Sequence, residues 1–267
     1  GGITNNEFQD LKLATQKFKA IYANDYLYYI TNNIVSSNIS NVYYWGGVTK
    51  QTQVMKLGDL NAGYSEANYQ LLLDKWLFGK DLPMPISGGD AATGKISTEI
   101  YNYGTLKGNL YIDGIKAADI NQGYTGDCYF VAALGAVAEK KPDIIKSMIQ
   151  DNGNGTFGIR FYDMANGSKY YTTVNLQVPI TQNNTIAFAG NITKSLTGEE
   201  WVSLVEKGYA QLSSQLNNTN LFANSYQEIG HGGLAYSLKQ ITGLNYKYYS
   251  SYSVSYTHLR AHETRED

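Results

Sequence analysis

Cys128 is the only cysteine of the sequence, and it stands where an apolar helix is expected to begin. Every residue from Cys128 to Ala138 is apolar or aromatic, and Glu139 and two lysines follow before Pro142. This pattern predicts a helix that is buried all round. The first turn of a helix presents unpaired N–H groups and the positive end of the helix dipole, which favour a thiolate. The sequence therefore predicts that Cys128 is a nucleophile.

Gln122 stands six residues before Cys128, and Gly123 and Gly126 lie between them. A loop of this length can fold an amide donor back towards the sulfur. In acyl transfer, donors already in place stabilise the negative charge on the carbonyl oxygen, and loss of one donor typically costs about 2.7–4 kcal/mol of barrier. We therefore predict that Gln122 and the backbone N–H of Cys128 form an oxyanion hole.

The alternative for Cys128 is a structural role, because free cysteines often pack as small buried hydrophobes. A nucleophilic thiol also requires a general base elsewhere in the chain, usually a histidine. The glutamine, the two glycines and the helix start together favour the nucleophile.

The segment Gln122-Gly123-x-x-Gly126-Asp127-Cys128, followed by an aromatic residue and an Ala/Leu-rich helix, resembles the nucleophile segment of calpain-type cysteine proteases. The similarity is strongest to bacterial calpain-like proteins of the papain-like clan, and it spans roughly Leu110 to Gly243. Tyr129 stands where the family usually has tryptophan.

This resemblance implies an endopeptidase that hydrolyses peptide bonds of protein substrates through a Cys thiolate and an acyl-enzyme. It also implies an α+β, papain-like fold of calpain type, in which a helical lobe carries the Cys128 helix and a β-rich lobe carries the catalytic His and Asn. No cofactor is needed for this chemistry. Calcium is possible, because calpains often use it, but no residue is assigned to a metal.

His231 is the only histidine outside the C-terminal tail, and its surroundings superficially resemble the family's Gly-His-Ala-Tyr motif. It lies 103 residues after Cys128, whereas the histidine of papain-like chains follows the cysteine by about 130–150 residues. Its glycine-rich segment matches better the Gly-Gly segment that precedes the catalytic histidine in calpains. We therefore predict that His231 is a loop residue and that the β-rich lobe is incomplete, because the chain ends before the catalytic His and Asn. Such a fragment is expected to lack protease activity.

The last residues, 254–267, match one reading frame of a common sequencing adapter. They contain two of the three histidines. We therefore expect this tail to be adapter-derived and exclude it from the fold prediction.

Regular secondary structure is expected to be interrupted at Pro83, Pro85 and the Ser87-Gly88-Gly89 run, which predicts a domain boundary there. The predicted organisation is an N-terminal helical or irregular accessory region, 1–92, and a catalytic domain, 93–253.

Hydrophobic periodicity predicts individual elements on both sides of this boundary. The predicted helices are 8–21, 65–78, 143–150, 201–212 and 234–241, and the predicted strands are 156–162 and 169–175. Thr197 to Glu200 is predicted to form a capping box. Glu199, Glu200 and Glu206 are predicted to be solvated or capping carboxylates. The Gly-x-Gly-x-x-Gly spacing at 153–158 precedes a strand, so a dinucleotide site is not predicted.

Composition limits the partners. The formal net charge is −2 and no run of Lys or Arg is present, which argues against nucleic acid binding. No apolar run has membrane-spanning length. The 24 tyrosines and the many Asn, Ser, Thr and Gly residues are typical of exported bacterial proteins, so we expect a secreted or cell-surface location rather than a cytoplasmic one. The alternative function is a non-catalytic interaction module on a calpain-like scaffold.

Overall fold

The computed structural model describes residues 2–21, 25–88, 98–216 and 220–247. These residues form seven α-helices and seven β-strands. Helices and antiparallel sheets are both present, which agrees with the predicted α+β class. The expected adapter-derived tail, 254–267, lies outside the described residues.

The N-terminal region contains three helices and a two-residue antiparallel ladder. They are α1 (Asn5–Ile21), α2 (Asp25–Val35), β1 (Tyr43–Tyr44), β2 (Met55–Lys56) and α3 (Glu66–Trp76). The predicted start of α3 is confirmed, because the Ser65 side chain accepts a hydrogen bond from the Asn68 N–H. The sequence did not predict α2, although Tyr26, Ile30 and Ile34 recur at helical spacing and are buried.

The remaining elements surround the main core. They are β3 (Asn102–Thr105), α4 (Cys128–Lys140), α5 (Pro142–Met148), β4 (Ile149–Asp151), β5 (Thr156–Tyr162), β6 (Lys169–Asn175), β7 (Gln177–Ile180), α6 (Trp201–Leu212) and α7 (Leu234–Thr242). Strands β4, β5 and β6 form one antiparallel sheet in that order, and β3 pairs with β7. The bounds of β5 and β6 confirm the two predicted strands, which are joined through Gly167 at a φ of 72°.

Helix α4 buries only one face. Its buried residues are Phe130, Ala133, Leu134, Val137 and Ala138. Ala132, Ala136 and Cys128 are exposed, so the prediction of a helix buried all round was wrong. An alanine side chain offers a single methyl group, so its exposure loses little hydrophobic free energy.

Two further predictions were wrong in detail. The predicted helix 143–150 ends at Met148, because Ile149 and Gln150 pair with Ile159 and Gly158 of β5. The capping box before α6 does not form, because the Glu200 carboxylate accepts a hydrogen bond from the distant Gly108 N–H at 2.9 Å.

Helix α6 is the central helix, and every one of its residues is buried. Phe130 of α4 stacks on Tyr209 with ring centroids 3.9 Å apart. The Lys207 ammonium donates to two oxygens of Asn175 and to the Gln177 carbonyl. Burial lowers the pKa of Lys207 well below its ordinary value. Helix α6 therefore joins α4 to the edge of the sheet.

The N-terminal region packs directly on the outer strand of this sheet. The Tyr26 and Thr173 hydroxyls lie 2.9 Å apart, and Thr173 donates to the Trp76 carbonyl at 2.6 Å. Tyr29 donates to the Gln215 amide oxygen. These contacts give strand β6 a covered outer face.

A buried ion pair fixes the end of α3. Lys75 and Asp81 are 2.5 Å apart, and both side chains are almost fully buried. The other oxygen of Asp81 accepts from the N–H groups of Trp45 and Gly46. Asp81 therefore holds three donors from two separate segments.

We expect Asp81→Ala to lower the free energy of unfolding by about 3–5 kcal/mol, because it leaves the Lys75 ammonium buried without its partner. Lys80→Ala is the control: Lys80 pairs with Asp74 at 3.1 Å but is largely exposed, so its removal should change stability by less than about 1 kcal/mol. Urea unfolding of both variants measures the difference. Equal losses would contradict this account of Asp81.

Candidate active site

Cys128 is the first residue of α4, and it is exposed. The segment before it forms a short antiparallel bridge to the segment 187–190. The Asn121 N–H donates to the Gly190 carbonyl at 2.9 Å, the Gly190 N–H donates back at 3.1 Å, and the Tyr124 N–H donates to the Ala187 carbonyl at 3.0 Å. The bridge fixes the start of the loop that ends at Cys128.

Gly123 is required by the close approach of these two segments. A Cβ atom at this position would lie 2.2 Å from the Ala187 carbonyl oxygen and 2.3 Å from the Phe188 Cα. Both contacts are with backbone, which cannot rotate away. Gly123 is therefore needed for the packing of this loop against 187–188.

Gln122 and Cys128 lie at the two ends of this loop. The Gln122 amide donates to the Thr125 carbonyl at 3.1 Å, and the Gln122 residue is exposed. Within the described part of the chain, no hydrogen bond joins Gln122 to Cys128. The second amide hydrogen of Gln122 is left for another acceptor. The proposed oxyanion role of Gln122 stays a prediction.

Thr125 is a residue of the site that the sequence did not single out. It is buried, its hydroxyl donates to the Tyr226 carbonyl at 3.1 Å, and it accepts from the Gly88 N–H at 3.3 Å. Thr125 thereby ties the loop to two other segments. The only advance signal was its place between the two glycines.

Tyr129 holds the loop that contains His231. Its hydroxyl donates to the Ile229 carbonyl at 3.0 Å, and a Cβ at Gly232 would lie 2.3 Å from its ring. His231 itself is exposed. Among the described residues, no hydrogen bond joins His231 to Cys128. His231 lies in a loop before α7, as predicted, and its lack of a catalytic role stays a prediction.

Beneath Cys128 lie two buried acids, Asp127 and Glu206. Both Glu206 oxygens accept from the Ala189 N–H, at 2.9 and 3.0 Å, and Glu206 also contacts the Asp127 carboxyl. Burial raises the pKa of Glu206 to about 7. Burial, together with the Glu206 charge, raises the pKa of Asp127 well above its ordinary value. The prediction that Glu206 is solvated or capping was wrong.

Lys194 lies close enough to these acids for its charge to act on both. Its ammonium donates to the carbonyls of Asn121 and Phe188. Burial lowers the pKa of Lys194 to about 8. A cation therefore stands on the bridge that positions the Gln122 loop.

Three further carboxylates lie close to one another. Atoms of Asp113, Asp119 and Glu199 lie within 4.8 Å of one another. Glu199 is buried and accepts from the Ile112 N–H, so the prediction that it is solvated was wrong. Burial, followed by the charges of Asp119 and Asp113, raises the pKa of Glu199. An all-oxygen donor set of this kind suits hard cations such as Ca²⁺.

A groove lies beside the loop at Tyr124. Tyr124 is 64% exposed and stacks on Tyr101 with centroids 6.1 Å apart. The groove has a volume of about 650 Å³, and its lining includes Glu99, Ile180 and Asn183. The groove therefore adjoins the loop that ends at Cys128.

Comparisons with known proteins agree on one family. A model described as the calpain family cysteine protease matches residues 95–265. The chain is 30% identical to calpain-5 of Mus musculus over 145 residues, which covers 50% of this chain and 20% of that protein. It is 30% identical to calpain-14 of Homo sapiens over 138 residues, covering 50% of this chain and 18% of the relative. The calpain-type cysteine protease DEK1 of Zea mays is 28% identical over 137 residues, 50% of this chain and 6% of its own length. The aligned part thus spans a fifth or less of these relatives.

We expect Gly123→Ala to destabilise the protein by about 1–3 kcal/mol, because the added methyl group pushes the Gln122 loop away from 187–190. Gly135→Ala in α4 is the matched control. A Cβ there would meet the Ile120 side chain at an ordinary 3.6 Å, so the change should be neutral or stabilising by up to about 1 kcal/mol. Thermal and urea unfolding measure both. A Gly123→Ala variant as stable as the unaltered chain would contradict the close approach.

Proposed function

Because the chain belongs to the calpain family of cysteine proteases, we propose that it provides the nucleophile-bearing part of a cysteine endopeptidase. The observation that carries the proposal is the exposed thiol of Cys128 at the first residue of α4, at the end of the loop that begins with Gln122. Reactive cysteines of other proteins often stand at helix N-termini. Protein substrates follow from the family.

In the proposed reaction, the Cys128 thiolate attacks the carbonyl carbon of a peptide bond, and an S–C bond forms. The carbonyl oxygen takes the negative charge and accepts hydrogen bonds from the Gln122 amide and the Cys128 backbone N–H. Collapse of this intermediate breaks the C–N bond, and the departing amine takes a proton from a histidine that had accepted it from the thiol. Water then hydrolyses the thioester, which releases the acid product and restores the thiol.

The base for this reaction is not assigned to His231, which makes no hydrogen bond to Cys128 within the described residues. The catalytic His and Asn are not assigned to any described residue. The missing contact also favours a second candidate function, a non-catalytic calpain-like module that binds protein segments without cleaving them. The two candidates differ in whether Cys128 can be acylated.

An activated ester separates these candidates, because a p-nitrophenolate leaving group needs no proton from a histidine. With a peptidyl p-nitrophenyl ester, the full chain should release one equivalent of p-nitrophenolate per Cys128 in a burst. Cys128→Ala should abolish the burst. Gln122→Ala should slow it about 10²–10³-fold, because one oxyanion donor is lost.

The control is Gln53→Ala, which removes an exposed glutamine side chain distant in sequence from Cys128 and should leave the burst unchanged. Mass spectrometry locates the acyl group. The absence of a burst in the folded, unaltered chain would favour the interaction module. A burst of unchanged rate in Gln122→Ala would show that Gln122 is not part of the oxyanion hole.

Calcium fits the carboxylate group of Asp113, Asp119 and Glu199, and we extend the proposal to a calcium site formed by these residues. Lys116 already pairs with Asp113 at 2.5 Å, and bound calcium would neutralise the remaining repulsion among the three carboxylates. Asp119 also accepts from the Lys116 N–H at 2.7 Å, and the chain reaches Gln122 three residues later. These residues are therefore placed to hold the entrance of the Gln122 loop.

We expect Ca²⁺ to raise the melting temperature of the full chain, because the cation binds the folded arrangement and not the unfolded one. Asp119→Asn should remove most of this shift. Asp143→Asn, which changes an exposed carboxylate at the start of α5, should keep it. An equal shift in all three proteins would contradict the site, and so would no shift in the unaltered chain.

A further inference from the structure

The mechanism described above leaves the buried carboxyls of Asp127 and Glu206 without a role. Asp127 is fully buried, and Glu206 is 1% exposed. They lie on different helices: Asp127 is the N-cap residue of α4, immediately before the nucleophile, and Glu206 is in the middle of α6. Two buried acids in contact require an arrangement that avoids two unscreened negative charges.

The hydrogen bonds distinguish the two carboxyls. Glu206 has donors, because both of its oxygens accept from the Ala189 N–H and the Lys194 ammonium lies nearby. Neither oxygen of Asp127 has a donor within the described residues. A buried carboxylate without donors is strongly disfavoured. A protonated Asp127 is neutral and can donate to Glu206, so that the oxygen still without a donor carries no charge.

We infer that Asp127 and Glu206 share one proton, which is held on Asp127 and forms a hydrogen bond to Glu206. This hydrogen bond is a positioning contact: it fixes the start of α4, and with it Cys128, against the segment that holds the Gln122 loop. This inference rests on the proposed function, since it assigns the two acids a role in the same site. Neither acid touches the substrate.

The structure supplies the chain of contacts for this role. Glu206 and Ser203 of α6 hold both backbone groups of Ala189, since Ser203 donates to the Ala189 carbonyl at 2.9 Å. Ala189 lies in the segment that bridges to Asn121 and Tyr124. One carboxylate therefore connects the start of the nucleophile helix to the segment that bridges to the Gln122 loop. A neutral Asp127 also keeps a second anion away from the Cys128 thiolate.

The charged and titratable groups that face the pair come from several elements. They are Cys128 and Tyr129 of α4, Tyr209 of α6, Tyr226, and Lys194. Lys194 is the only cation among these groups, and it favours the ionised form of Glu206. The proton is therefore expected on Asp127.

The test compares two neutral replacements that differ only in hydrogen bonding. Asp127→Asn keeps a donor for Glu206, whereas Asp127→Ala leaves Glu206 without it. We expect Asp127→Ala to slow ester acylation of Cys128 roughly 10- to 100-fold, as small misplacements of reacting groups do, and Asp127→Asn to restore most of this loss. Iodoacetamide alkylation, which needs no oxyanion donor, should change far less in both variants. Glu139→Gln, on the exposed end of α4, is the charge control.

The pH dependence of melting provides a second measurement that needs no acylation. The pKa of Glu206 is raised from 4.5 to about 7 in the folded chain, and that of Asp127 is raised as well. Folded protein therefore holds more protons than unfolded protein above the ordinary pKa values of 3.8 and 4.5, so stability falls as pH rises through the raised pKa values. The Glu206 part of this decline ends near pH 7, and the Asp127 part is the one that the shared proton predicts. Asp127→Asn should flatten this decline, and Glu139→Gln should not.

Equal acylation loss in Asp127→Asn and Asp127→Ala would show that an ionised Asp127 is needed and would overturn the inference. No loss in either variant would overturn the positioning role. If the unaltered chain is not acylated, the proposed function fails, whereas the shared proton still stands or falls on the pH dependence of melting. An unchanged decline in Asp127→Asn would overturn the shared proton.

Discussion

The antiparallel bridge between 121–124 and 187–190 is the interaction on which the site depends. It is short, and it brings together segments that are far apart in the sequence. A bridge of three hydrogen bonds is weak by itself, since each contributes about 0.5–1.5 kcal/mol net. Its stability comes from what surrounds it: Gly123 allows the approach, Lys194 donates to carbonyls of both segments, and Glu206 binds the Ala189 N–H.

Helix α6 connects this bridge to the rest of the molecule. Its carboxylate, Glu206, faces the bridge, its ammonium, Lys207, binds the turn between β6 and β7, and its ring, Tyr209, stacks on Phe130 of α4. The N-terminal region then packs on the far side of β6. Polar groups buried in this way require complete hydrogen bonding, which favours one arrangement of the elements over others.

Among the described residues, none of the helices combines the length and the hydrophobicity that a membrane span requires.

Local sequence patterns predicted the helices and strands well where the pattern of one short segment determines its secondary structure. The apolar run before Pro142 predicted the start of α4 at Cys128, and hydrophobic periodicity predicted the bounds of β5 and β6. The family resemblance drawn from the Gln122 to Cys128 segment was confirmed by the match over 95–265. The proposed roles of the two residues remain predictions, as does the division at residue 92.

The sequence could not predict contacts between distant segments. Periodicity along α6 gave an apolar face, but the helix is buried on all sides, because strands, α4 and the 187–190 segment surround it. Glu206 was therefore misjudged as solvated, and Glu200 was assigned to a cap, although it bonds to Gly108. Burial of an acid depends on partners that no local spacing reveals.

The central claim is that Cys128 and Gln122 act on the same carbonyl group. The most direct measurement is a crystal structure of the full chain treated with a peptide aldehyde, which forms a tetrahedral adduct with a nucleophilic thiol. The account predicts an S–C bond to Cys128 Sγ, with the adduct oxygen about 2.7–3.1 Å from the Gln122 Nε2 and the Cys128 backbone N. An adduct whose oxygen points away from Gln122, or a Cys128 that forms no adduct in folded protein, would contradict it.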